Sequence, residues 1–349
     1  MNQTRYTSPM PDSPVLGIHH VTGIASEPQR NLEFYSGVLG LRLVKRTVNF
    51  DDPSTYHLYY GDEVGSPGSI MTFFPWPGSF RGQRGVGQAA VTSFSVLPSA
   101  IGFWMERLVR LGIEHDAMVK RGPDGDQERV IALRDHDGTA LEIVGHAAAE
   151  GRRPWGRAAG VAEDHAIRGF HSVTLWVHEH EPTERVLVDS LGFQPLREDE
   201  TTRRYVVGTG APGCIVDVRA VGGFLASTSG AGTVHHVAFE VESDPSELAV
   251  RERLEEIGLR PTPVIDRMYF HSVYFSEPGG VLFELATSAP GFLIDEPIET
   301  LGEQLMLPPQ FERSRAGIER ALPPLSSERV GPETSAFAAP ADEKPESPG

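Results

Sequence analysis

Two histidine pairs and one isolated glutamate are the residues of this 349-residue chain that best suit metal chemistry. His20 lies in the apolar stretch 17–24, His236 lies in the similar stretch 234–241, and Glu284 interrupts the apolar run 281–285. An unpaired carboxylate in an apolar strand is costly to bury. Two imidazoles and one carboxylate that meet on one face leave open positions on a metal. That donor set is typical of Fe(II) sites that bind both a substrate and O₂, and Mn(II) also fits it.

Four similar segments of the chain carry these residues at equivalent points. Each segment opens with a β-type run and closes with a second one near a glycine turn. Between the two, a helical stretch ends at a Leu-Gly or Ile-Gly pair, and glycine is preferred just after a helix. Alternating apolar and polar residues then predict strands. Each unit is therefore predicted to be βαβββ. The opening and closing runs are 17–24 with 67–74, 90–96 with 137–144, 169–177 with 213–218, and 234–241 with 278–285.

The predicted fold class is α+β, with four βαβββ modules paired into two open barrel-like cups. Modules one and two are expected over residues 16–147 and modules three and four over 166–320. The segment 322–349 is rich in Pro, Ser, Glu and Ala, which predicts a disordered tail.

The three candidate ligands imply how the modules pair. His20 is on the first strand of module one, while His236 and Glu284 are on the first and last strands of module four. They meet only if modules one and four share a cup. Modules two and three offer only one imidazole, which favours a degenerate second site. The residues at the equivalent places are Glu142, His171 and Asp217, with Val91 or Thr92 in the fourth.

Composition limits the partners and the location of the chain. Its 48 acidic and 31 basic residues give a net charge of -17. Such a chain repels phosphate backbones and anionic lipids, so we expect neither nucleic acid nor a membrane as partner. No apolar run is long enough to cross a bilayer, and a cytoplasmic location is expected. The single cysteine, Cys214, excludes an internal disulfide. A homo-oligomer is left open.

The chain resembles the vicinal oxygen chelate superfamily, and within it the dioxygenases that cleave the ring of hydroquinones. This resemblance extends from about residue 16 to residue 320. It implies that His20, His236 and Glu284 bind the metal, that His19 and His235 lie behind the ligands or point away, and that Arg267 and Tyr274 belong to the active site. The segments that carry it are 17–22, 43–51, 56–62, 65–68, 168–172, 235–236, 278–284 and 305–312.

The expected function is Fe(II)-dependent cleavage of a small aromatic diol by O₂. His19, Tyr274 or Arg267 would transfer protons or stabilise an anionic oxygen. The residues expected to contact the substrate are Phe73, Trp76 and His235, with Phe74 in the same apolar wall.

Three rival functions share the scaffold: a catechol extradiol dioxygenase, a glyoxalase-like metal-dependent isomerase, and a non-catalytic protein that binds small aromatic molecules. Glyoxalase-like isomerases usually bring two carboxylates to the metal, whereas the place in module one that matches Glu284 falls near Phe73. In the usual extradiol arrangement the metal ligands come from the two C-terminal modules. The position of His20 near the N-terminus therefore favours the hydroquinone group.

Overall fold

Two eight-stranded sheets and a few helices make up the protein. The computed structural model describes residues 13–123, 127–155, 160–199 and 201–327. Its strands and helices follow one another as four βαβββ modules, which confirms the predicted α+β class.

Modules one and two occupy the N-terminal half. Module one consists of β1 (Gly17–Ala25), α1 (Pro28–Leu32) with a π-helical turn (Glu33–Val38), β2 (Arg42–Val48), β3 (Tyr56–Gly61) and β4 (Ile70–Pro75). Module two consists of β5 (Gln88–Val96), α2 (Ile101–Arg110), β6 (Val119–Arg121), β7 (Glu128–Arg134) and β8 (Ala140–Gly145).

Modules three and four repeat this order. Module three consists of β9 (Phe170–Val177), α3 (His180–Arg185) with a π-helical turn (Val186–Ser190), β10 (Gln194–Asp199), β11 (Thr202–Val206) and β12 (Ile215–Ala220). Module four consists of β13 (Thr233–Val241), α4 (Asp244–Glu256), β14 (Ile265–Asp266), β15 (His271–Ser276) and β16 (Leu282–Thr287). A last helix, α5 (Arg315–Ala321), follows three short 3₁₀ turns at Phe292–Ile294, Ile298–Thr300 and Glu312–Ser314.

A glycine with positive φ follows the helical part of every module, as the Leu-Gly and Ile-Gly pairs predicted. The φ angles lie between 65° and 86°, a backbone region that costs glycine little and other residues more. Each glycine turns the chain from the helix into the next strand. These residues are Gly40, Gly112, Gly192 and Gly258.

Modules one and four form one sheet, and modules two and three form the other. The strand orders are β14-β15-β16-β13-β1-β4-β3-β2 and β10-β11-β12-β9-β5-β8-β7-β6. Each sheet is joined at its centre by an antiparallel pair of opening strands, β1 with β13 and β5 with β9. The pairing inferred from the candidate ligands is therefore the pairing in the structure.

One apolar core connects all four modules. It contains buried side chains of the central strands, such as Val21, Phe94 and Val237, and of the helices, such as Trp104 and Leu254. Burial of this apolar surface supplies the main favourable free energy of folding and holds the sheets in place.

The first residues of the predicted tail contact the rest of the protein. The Leu322 side chain is buried against the core, and the Tyr56 hydroxyl donates a hydrogen bond to the Pro323 carbonyl over 3.1 Å. These contacts attach the start of the Pro-rich segment to module one. Residues 328–349 lie outside the described part of the chain. Within that part, no helix has the length and apolar character needed to cross a bilayer.

Candidate metal centre and active site

His20, His236 and Glu284 converge on one point inside the first cup. Each offers one ligand atom, and these atoms lie within 4.8 Å of one another. Glu284 Oε2 is 3.2 Å from His20 Nε2 and 2.9 Å from His236 Nε2, and the two Nε2 atoms are 3.2 Å apart. All three side chains are at most 4% exposed. The sequence places them in three separate strands, and the fold unites them.

Strand register explains this convergence. His20 of β1 pairs with Ala238 of β13, and His236 of β13 pairs with Thr22 of β1. The two histidines are therefore related by the local two-fold symmetry of the antiparallel pair. Glu284 of β16 pairs with Ala238 and so continues the row that begins at His20. Neighbouring strands are close enough for these side chains to meet on the same face.

The surroundings of Glu284 leave one oxygen for a metal. Ser272 Oγ donates a hydrogen bond to Glu284 Oε1 over 2.5 Å. Oε2 is buried and accepts no hydrogen bond from the described residues. Burial alone would raise the pKa of this carboxyl, but the imidazoles of His20 and His236 hold it well below its usual range. A charged oxygen facing two imidazole nitrogens is a donor set that suits a divalent transition metal.

A β-bulge places a second histidine beside each candidate ligand. The register of β1 against β13 shifts between Ile18 and His20 and again between Thr22 and Gly23, so the unmatched residues are His19 and His235. A bulge sets two residues of one strand opposite one residue of its partner. The Nδ1 atoms of His19 and His20 are 2.9 Å apart, and those of His235 and His236 are 2.8 Å apart. The first histidine of each doublet thus contacts the second from behind.

His19 and His235, the rear histidines of the two doublets, are neutral. Burial and the nearby His20 ring lower the pKa of His19 to about 3, and burial and His236 lower that of His235 to about 4. In each doublet the two Nδ1 atoms are within hydrogen-bond distance, so one of them must carry the proton and donate it to the other. If the ligand imidazole keeps Nε2 free, its Nδ1 donates to the neutral partner, which fixes its tautomer and orientation.

Arg267 and Tyr274 also reach the site. Both line a cavity of about 30 Å³ that His20 and His236 also line. The Arg267 guanidinium carbon lies 5.4 Å from the centre of the Tyr274 ring. Arg267 Nη1 is 3.2 Å from Asp51 Oδ2. Burial and Glu284 raise the pKa of Tyr274, so its hydroxyl stays protonated and can donate a hydrogen bond.

The sequence reasoning did not assign several other residues that line this cavity. His57 accepts or donates hydrogen bonds at both ring nitrogens, to Thr72 Oγ1 over 2.8 Å and to the Tyr59 hydroxyl over 2.8 Å. Burial lowers its pKa well below the usual range. His57 and Tyr59 are two residues apart in β3, and this spacing could have predicted that both side chains face the inside of the cup. The remaining unassigned lining residues are Asn49, Phe50, Asp51 and Phe270, and Phe74 lines the cavity as the sequence predicted.

Phe73 and Trp76 do not line the cavity. Phe73 is fully buried in the core, where its ring lies 4.4 Å from the centre of Tyr35. Neighbours in a strand face opposite sides, so the inner face belongs to Phe74. Trp76 packs on the outer side of Phe74, at 5.5 Å between ring centres. His235 lies 5.9 Å from Phe74 and contacts His236 rather than the cavity.

Thr72, not Phe73, occupies the place in module one that matches Glu284. Thr72 pairs with Thr22 and Tyr59, just as Glu284 pairs with Ala238 and Tyr274. The sequence predicted this position near Phe73, and the structure places it at the preceding residue. The described residues provide one carboxylate at this centre and not two.

The second cup has a different set of residues at the matching places. Val91 and Ser172 stand where the first cup has His20 and His236, and Asp217 and Glu142 stand where it has Glu284 and Thr72. His171 is the bulged residue, so it matches His235 and contacts Ser172 Oγ over 2.9 Å. Its earlier placement was therefore wrong by one position. Neither ligand histidine is present in this cup.

Comparison with known proteins agrees with this architecture. The family model for the Glyoxalase/Bleomycin resistance protein/Dioxygenase superfamily matches residues 17–143 and again 169–285. The two matches divide the chain into the same module pairs along the sequence.

Several relatives are similar over most of their length. MhqO of Bacillus subtilis, which is named as a ring-cleaving dioxygenase, is 42% identical over 309 residues, or 88% of this chain and 96% of MhqO. The chlorohydroquinone/hydroquinone 1,2-dioxygenase of Sphingobium indicum is 31% identical, with 88% and 96% covered. A crystal structure of a B. subtilis protein described as a dioxygenase superposes with a TM-score of 0.84 at 41% identity, covering 90% of this chain and 99% of that one. Glyoxalase I from Zea mays, at 15% identity and a TM-score of 0.57, shares the fold.

Proposed function

Because the chain belongs to the Glyoxalase/Bleomycin resistance protein/Dioxygenase superfamily, we propose that it is a ring-cleaving dioxygenase. The proposed substrates are a hydroquinone-type aromatic diol and O₂, and the proposed metal is Fe(II). The observation that carries this proposal is the single carboxylate-and-two-histidine cluster of His20, His236 and Glu284 in a buried pocket. The names of the relatives, MhqO and the hydroquinone 1,2-dioxygenase, support the same reaction class.

His20, His236 and Glu284 would hold the metal through one atom each. Three protein donors leave positions open for two further ligands, as iron oxygenases require, and Mn(II) suits the same donors. When bound, the metal would acidify a diol hydroxyl and link the ring electronically to O₂.

The aromatic side chains of the pocket would orient the diol ring. Phe74 and Phe270 line the cavity, and the Phe270 ring lies 5.2 Å from the His20 ring. Such surfaces exclude water and favour edge-to-face packing with a substrate ring. A diol held beside the metal ligands meets O₂ in a fixed geometry, which lowers the entropic cost of the reaction.

Tyr274 and Arg267 are the proposed donors toward substrate oxygen. The raised pKa of Tyr274 keeps its proton available, and Arg267 brings a positive charge to the same cavity wall. Donors fixed in a site that excludes water stabilise developing negative charge more than donors in water. His57 uses both nitrogens within the chain, so we assign it a positioning role toward Thr72 and Tyr59.

Anaerobic reconstitution with Fe(II) followed by oxygen-uptake assays tests the proposal. Hydroquinone, methylhydroquinone, chlorohydroquinone and catechol form the substrate panel, with a parallel Mn(II) arm. We expect uptake with the para diols and an ultraviolet spectrum of a ring-opened product. Glu284→Gln should abolish both, while Glu252→Gln, on the exposed side of α4, should behave as wild type. Uptake with catechol alone would favour an extradiol enzyme, and no uptake with any diol would overturn the dioxygenase assignment.

A further inference from the structure

The second cup, formed by modules two and three, encloses a cavity of about 400 Å³. That volume is within the range that binds small organic molecules in proteins. It is separate from the proposed metal centre, because its walls belong to the other sheet. Nothing in the proposed reaction uses it.

The floor of this cavity carries carboxylates that are already neutralised. Arg204 binds Asp217 through two hydrogen bonds of 2.7 Å each, and Arg121 lies 3.1 Å from Glu142 Oε2. Glu128 bridges the two arginines. Val91 and Ser172 stand at the places that His20 and His236 hold in the first cup, so the matching positions lack the two imidazoles of the proposed metal centre.

The rim of the cavity carries arginines whose positive charge is not neutralised by an ion pair in the described residues. Arg84 and Arg219 place their guanidinium carbons 4.7 and 5.8 Å from the centre of the Trp176 ring. Arg134 lines the same cavity, and within the described part of the chain none of these three arginines forms an ion pair. Burial, Arg134 and Arg219 lower the pKa of Arg84, which shows that like charges are its neighbours.

Acidic residues also line this cavity. Glu114 and Asp116 line it without an ion pair in the described residues, and Asp199 lies 3.6 Å from Arg197. The electrostatic neighbours that shift the pKa of Arg84 are nevertheless both arginines. On a chain with a net charge of -17, three unpaired guanidinium groups at one opening form a local positive site that favours an anion.

The wall between floor and rim is apolar. Val91, Ala132 and Ala140 line it, while the neighbouring Leu133 and Leu141 turn their side chains into the core. A ligand that fits both surfaces has an anionic end and an apolar body. Guanidinium groups bind the planar carboxylate through two parallel hydrogen bonds, and they match it better than a lysine would.

We propose that the second cup binds a small organic carboxylate. Its anionic group lies between Arg84 and Arg219 beside Trp176, and its apolar part contacts Val91 and Ala132. Aromatic acids and short-chain aliphatic monoacids share this chemistry, a carboxylate on an apolar body. The test below separates these two sources.

Isothermal titration of the full-length protein tests this proposal after the metal has been removed with a chelator, so that no carboxylate can coordinate a metal. Benzoate represents aromatic acids, hexanoate represents aliphatic monoacids, and inorganic phosphate is the third probe. We expect saturable binding of benzoate or hexanoate, and the acid that binds more tightly shows whether the apolar part of the ligand is aromatic or aliphatic. The double variant Arg84→Gln/Arg219→Gln should weaken that binding at least about tenfold. Arg253→Gln, an exposed arginine of α4, should not weaken it.

Three results would overturn the proposal. The first is no saturable heat with either carboxylate, and the second is unchanged affinity in the double variant. The third is phosphate binding as tight as carboxylate binding, which would indicate a general anion site. Circular dichroism of the double variant establishes that a lost signal reflects the site and not unfolding. Because the metal has been removed, these results do not depend on whether the ring-cleavage proposal is correct.

Discussion

The Nδ1 atom of His19 lies 2.9 Å from the Nδ1 atom of His20, the ring whose other nitrogen faces Glu284. The same relationship holds between His235 and His236 at 2.8 Å. Each of the two candidate ligand histidines therefore has its own supporting imidazole, which a β-bulge positions. A partner of this kind fixes the tautomer and the ring plane of a metal-binding histidine.

Replacing a rear histidine should weaken metal binding without abolishing it. For His19→Ala and His235→Ala we expect a loss of about 10–100-fold in metal affinity, because the ligand ring loses its orienting partner. Competition with a chromophoric chelator measures this affinity. His178→Ala, an exposed histidine of module three, is the control. Wild-type affinity in both rear variants would show that the doublets are structural only.

Replacing one of the two candidate ligand histidines should remove metal binding altogether. His236→Ala leaves one imidazole and one carboxylate, too few donors for a stable site. Metal addition should raise the Tm of the wild type through preferential binding to the folded state, and it should leave the Tm of His236→Ala unchanged. Differential scanning calorimetry with and without Fe(II) or Mn(II) measures both. A metal-dependent rise in the variant would contradict the ligand assignment.

Tyr274→Phe separates catalysis from metal binding. The variant keeps the ring that packs 5.5 Å from His236 and loses only the hydroxyl. We expect kcat/KM for hydroquinone to fall by about 10–100-fold while metal content is unchanged, because one donor toward substrate oxygen is gone. Tyr56→Phe, whose hydroxyl bonds Pro323 away from the cavity, is the matched control. An unchanged kcat/KM would remove Tyr274 from the proposed reaction.

The buried Glu247 should make the free energy of unfolding depend on pH. This side chain of α4 is fully buried, and neither carboxyl oxygen has a hydrogen-bond partner among the described residues. Burial raises its pKa from 4.5 to about 7. Between these values the unfolded chain has lost the proton that the folded chain keeps, so the contribution of Glu247 to the free energy of unfolding falls as pH rises.

Glu247→Gln should therefore stabilise the protein at pH 8 by about 1–3 kcal/mol and have little effect at pH 4. Urea denaturation of the metal-free protein at both pH values measures the difference. Glu252→Gln, exposed on the same helix, should show no such pH-dependent gain. A Glu247→Gln variant less stable than wild type at pH 8 would mean that the carboxylate has a stabilising partner.

The modules and the residue types of the site can be predicted from the amino-acid sequence. Apolar alternation predicts the strands, and the glycines at 40, 112, 192 and 258 predict the helix ends, because both depend on local geometry. The doublets at 19–20 and 235–236 and the isolated Glu284 stand out because polar groups in apolar strands need a reason to be there.

The strand face that each residue occupies became known from the three-dimensional structure. Side chains alternate between the faces of a strand, so an error of one residue moves Phe73 from the cavity to the core and places Thr72, not Phe73, opposite Tyr59. A shift of one residue likewise places Ser172, and not His171, at the position that matches His236. Bulges at His19 and His235 break the alternation, and pairing between strands, not the local sequence, creates them. Register is a property of two strands together, and therefore it emerges only when the sheet forms.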